Sequence, residues 1–289
     1  MGYARPMQHF SLARRRIPQE PWRATDPRDL APTRPVPTML AGPEQRLYHW
    51  LTASWARGAG EIVELGCFAG GSTARLAQGH KRAGLASRIH AYDRFQINEA
   101  GKKAHLYPAG IPEFSGQDLL PLAERLLAPW ASRITLHPGP IEAQSWPGEA
   151  IELLVMDASK SRATADRFAE MFFPALIPGH SLVVQQDYLH WKLPWIAAQM
   201  ELMAGCFTPV AHAPHHTVVF RCEAPVNARV LQRGRVSGLS QARMLKLLRQ
   251  ARGRLRPLGL GERITDLIRS ARANPGIERA SEMVRPGRM

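Results

Sequence analysis

The sequence predicts an α/β fold: a seven-stranded, mostly parallel sheet covered by helices on both faces, with an antiparallel pair at its end. Three observations predict it. Five short apolar runs, at 61–65, 88–92, 133–137, 151–156 and 181–186, alternate with helical patterns, as crossover-connected parallel strands require. Two further runs, near 206–212 and 216–222, flank Pro214 too closely for a crossover helix, so this pair is expected to be antiparallel. The chain has 289 residues, 45% of them apolar and 21% charged, enough to bury one substantial core and unlike a disordered, collagenous or disulfide-rich chain.

In chain order, residues 1–40 carry Pro6, Pro18, Pro21, Pro27, Pro32, Pro35 and Pro37 among seven arginines. Proline at that density denies the backbone regular pairing, so the segment is expected to be mostly disordered or draped. A helix starts near Pro43, which suits a first turn, and Leu47, Trp50, Leu51 and Trp55 follow at helical spacing. After the fourth strand, Ser161 can cap a helix presenting Phe168, Met171, Phe172, Ala175 and Leu176, closed by Pro178-Gly179. Beyond 224, Leu239, Met244, Leu245, Leu247 and Leu248 suggest one amphipathic helix, and Ile264, Leu267 and Ile268 a second. The expected division is 1–40, a central domain 41–224, and a separate Arg-rich helical extension 225–289.

The net charge of +14 is unevenly distributed. Residues 1–40 hold seven Arg against three acids, and 225–289 hold fourteen Arg and one Lys against four acids. The middle holds sixteen bases and seventeen acids, so charge arguments concern the ends, and chemistry belongs to the middle. No apolar run approaches the ~18 residues of a membrane span. The N-terminus lacks the apolar stretch of a secretory signal, and position 6 lacks the hydroxyl of a myristoylation motif. Three cysteines, without a CxxC spacing, suit a reducing, cytoplasmic setting.

The sharpest motif is Glu64-Leu65-Gly66-Cys67-Phe68-Ala69-Gly70-Gly71-Ser72-Thr73, between an apolar strand and a helix. Gly66 and Gly70 let backbone approach a ligand, Gly71 eases entry into the helix, and the helix start offers free N–H groups. Asp93, 22 residues after Gly71 at the end of the second strand, can accept both hydroxyls of a ribose. The dinucleotide fingerprint GxGxxG is not met, because Cys67 and Phe68 separate Gly66 from Gly70.

Over roughly 45–222, these residues and the terminal hairpin resemble the class I S-adenosylmethionine (SAM)-dependent methyltransferases, whose fold is Rossmann-like. Within them, the motif is similar to the catechol and caffeoyl-CoA O-methyltransferases and to bacterial small-molecule O-methyltransferases. The resemblance implies that Gly66, Cys67, Phe68, Gly70, Gly71 and Ser72 surround the methionine end of SAM, with Ser72 on its carboxylate. Glu64 would hold the loop or the amino group, Asp93 the ribose diol, and Ile141-Glu142 would lie near the adenine.

A second cluster is Met156-Asp157-Ala158-Ser159-Lys160 after the fourth strand, and Gln185-Gln186-Asp187-Tyr188, then His190-Trp191, after the fifth. Ligands collect at the carboxyl ends of such strands, so Asp157 and Asp187 point at the crevice of Gly66 and Asp93. Two carboxylates on adjacent strand ends make a candidate hard-cation site. D-x-x-K is similar to the metal-dependent O-methyltransferases, which implies Asp157 and Asp187 as Mg²⁺ ligands and Lys160 as base. The family's third ligand is an Asn where this chain has Tyr188; Gln186 is the substitute on offer, although strand alternation turns it away. Asp157 otherwise caps the next helix or contacts SAM directly. Asp157, Lys160 and His190 are the candidate catalytic residues, and Trp191, Pro194 and Trp195 either wall an acceptor pocket or pack in the core. His212, His215 and His216 are expected on a solvated turn remote from the active edge.

The function implied is methyl transfer from SAM to an oxygen of a small molecule or glycan, with the C-terminal helices as a lid or a homodimer contact. The alternatives are an RNA methyltransferase using the basic ends, and a non-catalytic SAM-binding protein. Residues 225–289 contain no aromatic side chain to stack on bases, which speaks against a nucleic-acid partner.

Overall fold

The computed structural model describes residues 15–287. The seven strands are β1 (Glu61–Leu65), β2 (Ile89–Asp93), β3 (Ile134–Pro138), β4 (Ile151–Met156), β5 (Leu182–Gln185), β6 (Phe207–His212) and β7 (Val218–Cys222), in the order β3-β2-β1-β4-β5-β7-β6. The pairings from β3 to β5 are parallel, and β7 is antiparallel to both β5 and β6. Every residue of β4 is buried, as a central strand covered on both faces must be. The register Gln185↔Val218 places the start of β7 beside the end of β5. The turn 213–217 therefore lies at the carboxyl edge of the parallel strands, not remote from it.

Helix α1 (Gly42–Trp50) carries Pro43 in its first turn as expected. It packs with α2 (Gly71–Ala83) on one face of the sheet, burying Leu47, Leu51, Trp55 and Leu76. Helix α3 (Glu99–His105) and α4 (Leu120–Leu127) follow on the β2–β3 side. On the other face lie α5 (Arg162–Phe172), which Ser161 caps through the Thr164 N–H, and α6 (Pro194–Leu202).

Both ends differ from their sequence reading. Residues 15–40, expected to be mostly disordered, lie on the fold and bury Trp22, Leu30, Val36 and Leu40; the rest of 1–40 falls outside the described residues. Arg75 fastens this segment, donating to the Val36 carbonyl at 2.9 Å and to Gln45. After α7 (Ala228–Arg233), helices α8 (Gln241–Arg254) and α9 (Arg263–Ala273) share one apolar core with α5 and α6. Buried Asp166 accepts the backbone N–H groups of Val236 and Ser237 at 2.8 and 2.9 Å, tying α5 to the segment before α8. Residues 225–287 are thus no free appendage, because Met244, Leu247, Leu248, Ile264 and Leu267 need the central domain to cover them.

Candidate functional site

The loop after β1 is shaped by two glycines in left-handed backbone, Gly66 at φ 92° and Gly70 at φ 89°. Phe68 shares that conformation at φ 52°, an unusual geometry for a side-chain-bearing residue. Gly71 is needed for a different reason from the one expected. Its φ is ordinary, but a Cβ there would lie 2.2 Å from the Pro37 carbonyl oxygen, so it admits the N-terminal segment rather than easing the helix start. Asp93 buttresses the loop: one oxygen accepts from the Phe68 N–H and the other from the Phe95 N–H, both at 2.8 Å.

Beneath the loop, Glu64 is fully buried. One of its oxygens accepts from the Thr73 hydroxyl at 2.5 Å, and the other has no hydrogen-bond partner. Burial, opposed by the hydroxyls at the helix start, pushes its carboxyl up to about 7. An orphaned buried carboxylate oxygen below a glycine loop is the feature a bound ammonium would satisfy.

Three cavities adjoin at the strand ends. One of about 620 Å³ is lined by Gly66, Asp93, Ile141, Asp157 and Phe168, and also by Arg279 and Ser281 from the C-terminal segment. A narrow cleft of about 30 Å³ is lined by Gly66, Cys67, Phe68, Gly71, Ser72 and residues 37–40. A third, of about 360 Å³, is lined by Met39, Glu44, Lys160, Asp187, His215 and His216. Asp157 lines all three. A larger hollow, about 690 Å³, lies away from this edge between residues 15–19 and β6. Its Arg221 and Arg254 are already paired with Glu223 and Glu201.

Lys160 sits between two carboxylates. Its ammonium donates to Asp157 Oδ1 at 2.9 Å and to Asp187 Oδ2. Desolvation lowers its basicity, but the charges of Asp157 and Asp187 outweigh that and hold it above the ordinary lysine value. In this arrangement it is an ammonium bonded to two carboxylates, whereas the sequence reading expected a base. Desolvation pushes Asp157 up to about 7, with Lys160 opposing and Asp187 adding to the rise. Asp187 feels the same desolvation, yet Lys160 outweighs it and holds that carboxyl below its usual range.

The residues expected to complete a metal site do not fit one. Tyr188 points into the core against Phe220, with ring centroids 5.1 Å apart. The Gln186 amide oxygen accepts from the Tyr48 hydroxyl at 2.9 Å, while its NH₂ donates to Glu44, which also accepts from the Thr217 hydroxyl at 2.7 Å. Among the described residues, no group of three His, Cys, Asp or Glu side chains is placed to hold an ion.

His216, expected on a solvated turn remote from the active edge, lies at the site instead. It lines the third cavity, and its ring meets that of His190 edge-on at 4.9 Å. Burial, aided by His190, lowers its basicity to about 4, so it is neutral near pH 7. His190 stands behind it, stacked on Trp191. His215 is in left-handed backbone at φ 79°, and its carbonyl accepts from Arg263 of α9 at 2.5 Å. The antiparallel arrangement of β7 was the available signal for this turn. Trp195 is core, donating its indole N–H to the Ser159 carbonyl at 3.0 Å.

Residues 63–188 match a family model described as a methyltransferase domain. Among solved structures, the SAH-bound Podospora anserina methyltransferase PaMTH1 is similar at 11% identity and a TM-score of 0.36, over 83% of this chain and 73% of that one. The pyocyanin biosynthetic protein PhzM is similar at 16% identity and 0.38, over 61% of this chain and 54% of its own length. A cyclopropane-fatty-acyl-phospholipid synthase-like protein from Lactobacillus casei is similar at 18% and 0.34, over 61% and 64%. A comparison with curated proteins finds no match.

Proposed function

We propose that this chain, whose residues 63–188 match a methyltransferase-domain family model and whose parallel sheet ends in an antiparallel pair, is a class I SAM-dependent methyltransferase that transfers the methyl group of SAM to an oxygen of a small molecule or glycan. One observation carries the reading: Asp157 borders all three cavities, so donor and acceptor compartments meet at a single carboxylate. The 620 Å³ cavity takes the adenosine, with Asp93 on the ribose hydroxyls and Ile141 and Phe168 against the base. The methionine end lies at the loop where that cavity and the narrow cleft meet at Gly66 and Asp157, with Ser72 on its carboxylate, and the orphaned oxygen of Glu64, buried beneath the loop, takes its ammonium once the loop admits it. The 360 Å³ cavity takes the acceptor, a volume ordinary for a small-molecule site.

When bound, the sulfonium supplies an electrophilic methyl group whose C–S bond breaks as the acceptor oxygen takes the carbon. The chain's contribution is to align the two and to remove the acceptor's proton. Asp157 accepts that proton, since a carboxylate titrating near the working pH is a competent base. Lys160 steadies the oxygen as its proton leaves. His216 and Met39 bound the acceptor side.

The test is a mass spectrum of ligand co-purifying with the protein, followed by a labelled-methyl screen of phenols, sugars and carboxylic acids. Bound SAM or S-adenosylhomocysteine (SAH), with label in a hydroxyl compound, is the expected result. No affinity for either adenosyl compound by calorimetry would overturn the reading. Label appearing only in added RNA would replace the acceptor class.

A further inference from the structure

We propose that Lys160 takes the place of a divalent metal ion in this site: its ammonium is the cation that joins Asp157 to Asp187 and faces the acceptor oxygen. The proposal rests on the methyl-transfer reading above. It begins with topology. Strands β4 and β5 are parallel neighbours in the register Met156↔Gln185, so Asp157, one residue beyond β4, and Asp187, two beyond β5, leave the sheet at the same edge, within reach of one ammonium. Two carboxylates that close repel one another and need a cation between them. The chain supplies one, because Lys160 bonds to both.

The surroundings suit an ammonium and not a metal. A hard divalent ion would complete its six or more oxygens partly with water, but it would have to sit between the two carboxylates, where the Lys160 ammonium already is. Here the neighbouring oxygens are also engaged elsewhere, Gln186 by Tyr48, and Glu44 by Gln186, Thr217 and the Ala41 N–H. An ammonium needs three acceptors. Two are the carboxylates, and the third N–H is left for the cavities that Lys160 lines on both sides. The lysine is also held in place by its backbone. Its N–H donates to the Ala158 carbonyl at 2.8 Å, and its carbonyl accepts from Ala280 of the C-terminal segment at 2.9 Å.

The consequence is a methyltransferase that works without added metal. As the acceptor hydroxyl gives its proton to Asp157 and forms the new C–O bond, the free N–H of Lys160 stays on that oxygen. No charge enters or leaves the trio apart from that proton.

The test is Mn²⁺ binding followed by electron paramagnetic resonance on the full chain, wild type against Lys160→Met and Lys160→Ala. Wild type is expected to leave Mn²⁺ free. Both variants are expected to gain one Mn²⁺, at least ~10-fold tighter than any wild-type binding, because two unpaired carboxylates now face each other. Adding Asp187→Asn to either variant should abolish the gain. One tight Mn²⁺ in wild type, lost in Asp157→Asn or Asp187→Asn, would overturn the proposal. So would variants that stay folded yet bind no more Mn²⁺ than wild type. SAH calorimetry on the same samples separates the two claims: its absence sinks the methyltransferase reading, and the Mn²⁺ result alone decides the role of Lys160.

Discussion

Glu64→Gln tests whether the glycine loop is built over a carboxylate kept waiting for a cation. Glu64 is fully buried, with one oxygen unpartnered, and its carboxyl is pushed from 4.5 up to about 7. In the unfolded chain it ionises at its ordinary value. Between pH 4.5 and 7 the folded state therefore binds more protons, and stability falls as pH rises through that window. Above 7 the full cost is present. A rise of about 2.5 units at ~1.4 kcal/mol each makes it about 3 kcal/mol. Glutamine does not ionise, so the stability of the variant relative to wild type should rise by about 2–3 kcal/mol between pH 5 and pH 8.5. Urea unfolding of ligand-free protein, followed by fluorescence of its seven tryptophans, measures this. In the same series SAH should stabilise wild type far more than the variant, since the amide cannot replace the anion that receives an ammonium. Parallel stability curves for the two proteins from pH 5 to 8.5 would refute the reasoning.

Asp93→Ala should weaken SAH binding by ~10- to 100-fold in calorimetry, losing both the diol acceptor and the acceptor of the Phe68 and Phe95 N–H groups. Asp157→Asn should abolish label transfer while leaving SAH affinity within a few-fold, and in wild type the rate should fall as pH drops below about 7 and Asp157 takes up a proton. His215→Gly should raise thermal stability by the equivalent of ~1 kcal/mol, because that residue sits in left-handed backbone; a lower melting temperature would deny that strain. Truncation after residue 276 should weaken SAH binding at least ~5-fold, since it removes Arg279, Ser281 and the Ala280 contact to Lys160.

How much of this was legible depended on whether a feature is local. The strands were visible because a strand buried on both faces leaves a continuous apolar run, as in 151–156. Ser161 and Pro43 mark helix starts by short-range chemistry, and Gly66 and Gly70 mark the loop by backbone need. His216 was also within reach. An antiparallel partner of β5 must begin where β5 ends, so its turn had to lie at the active edge. Other features carry no local signal. Gly71 is glycine because Pro37 passes over it, and nothing in the loop's own sequence announces a neighbour 34 positions away. Residues 15–40 bury Trp22, Leu30 and Val36 singly, without the period that betrays a packed helix or strand. Lys160 was read as a base because a motif names the residue type and not its partners. Only the folded chain shows that both partners are carboxylates.

The two basic ends converge on the carboxyl edge of the parallel strands, and that bears on what their charge is for. Residues 37–40 close over Gly71 and Ser72, residues 278–280 bond to the backbone at 160–162, and Arg263 grips the turn beside His216. Several terminal arginines already have internal partners: Arg23 with Glu20, Arg28 with Asp26, Arg252 with Glu262 and Arg254 with Glu201. These ends are walls of the cavities. A polyanion gathering the arginines of residues 15–40 and 225–287 would compete with contacts that shape the donor and acceptor compartments. Its binding would then oppose turnover, and the reciprocity of linked equilibria requires that a bound adenosyl ligand weaken the polyanion in turn. A charge that serves packing at the site needs no nucleic-acid partner to account for it.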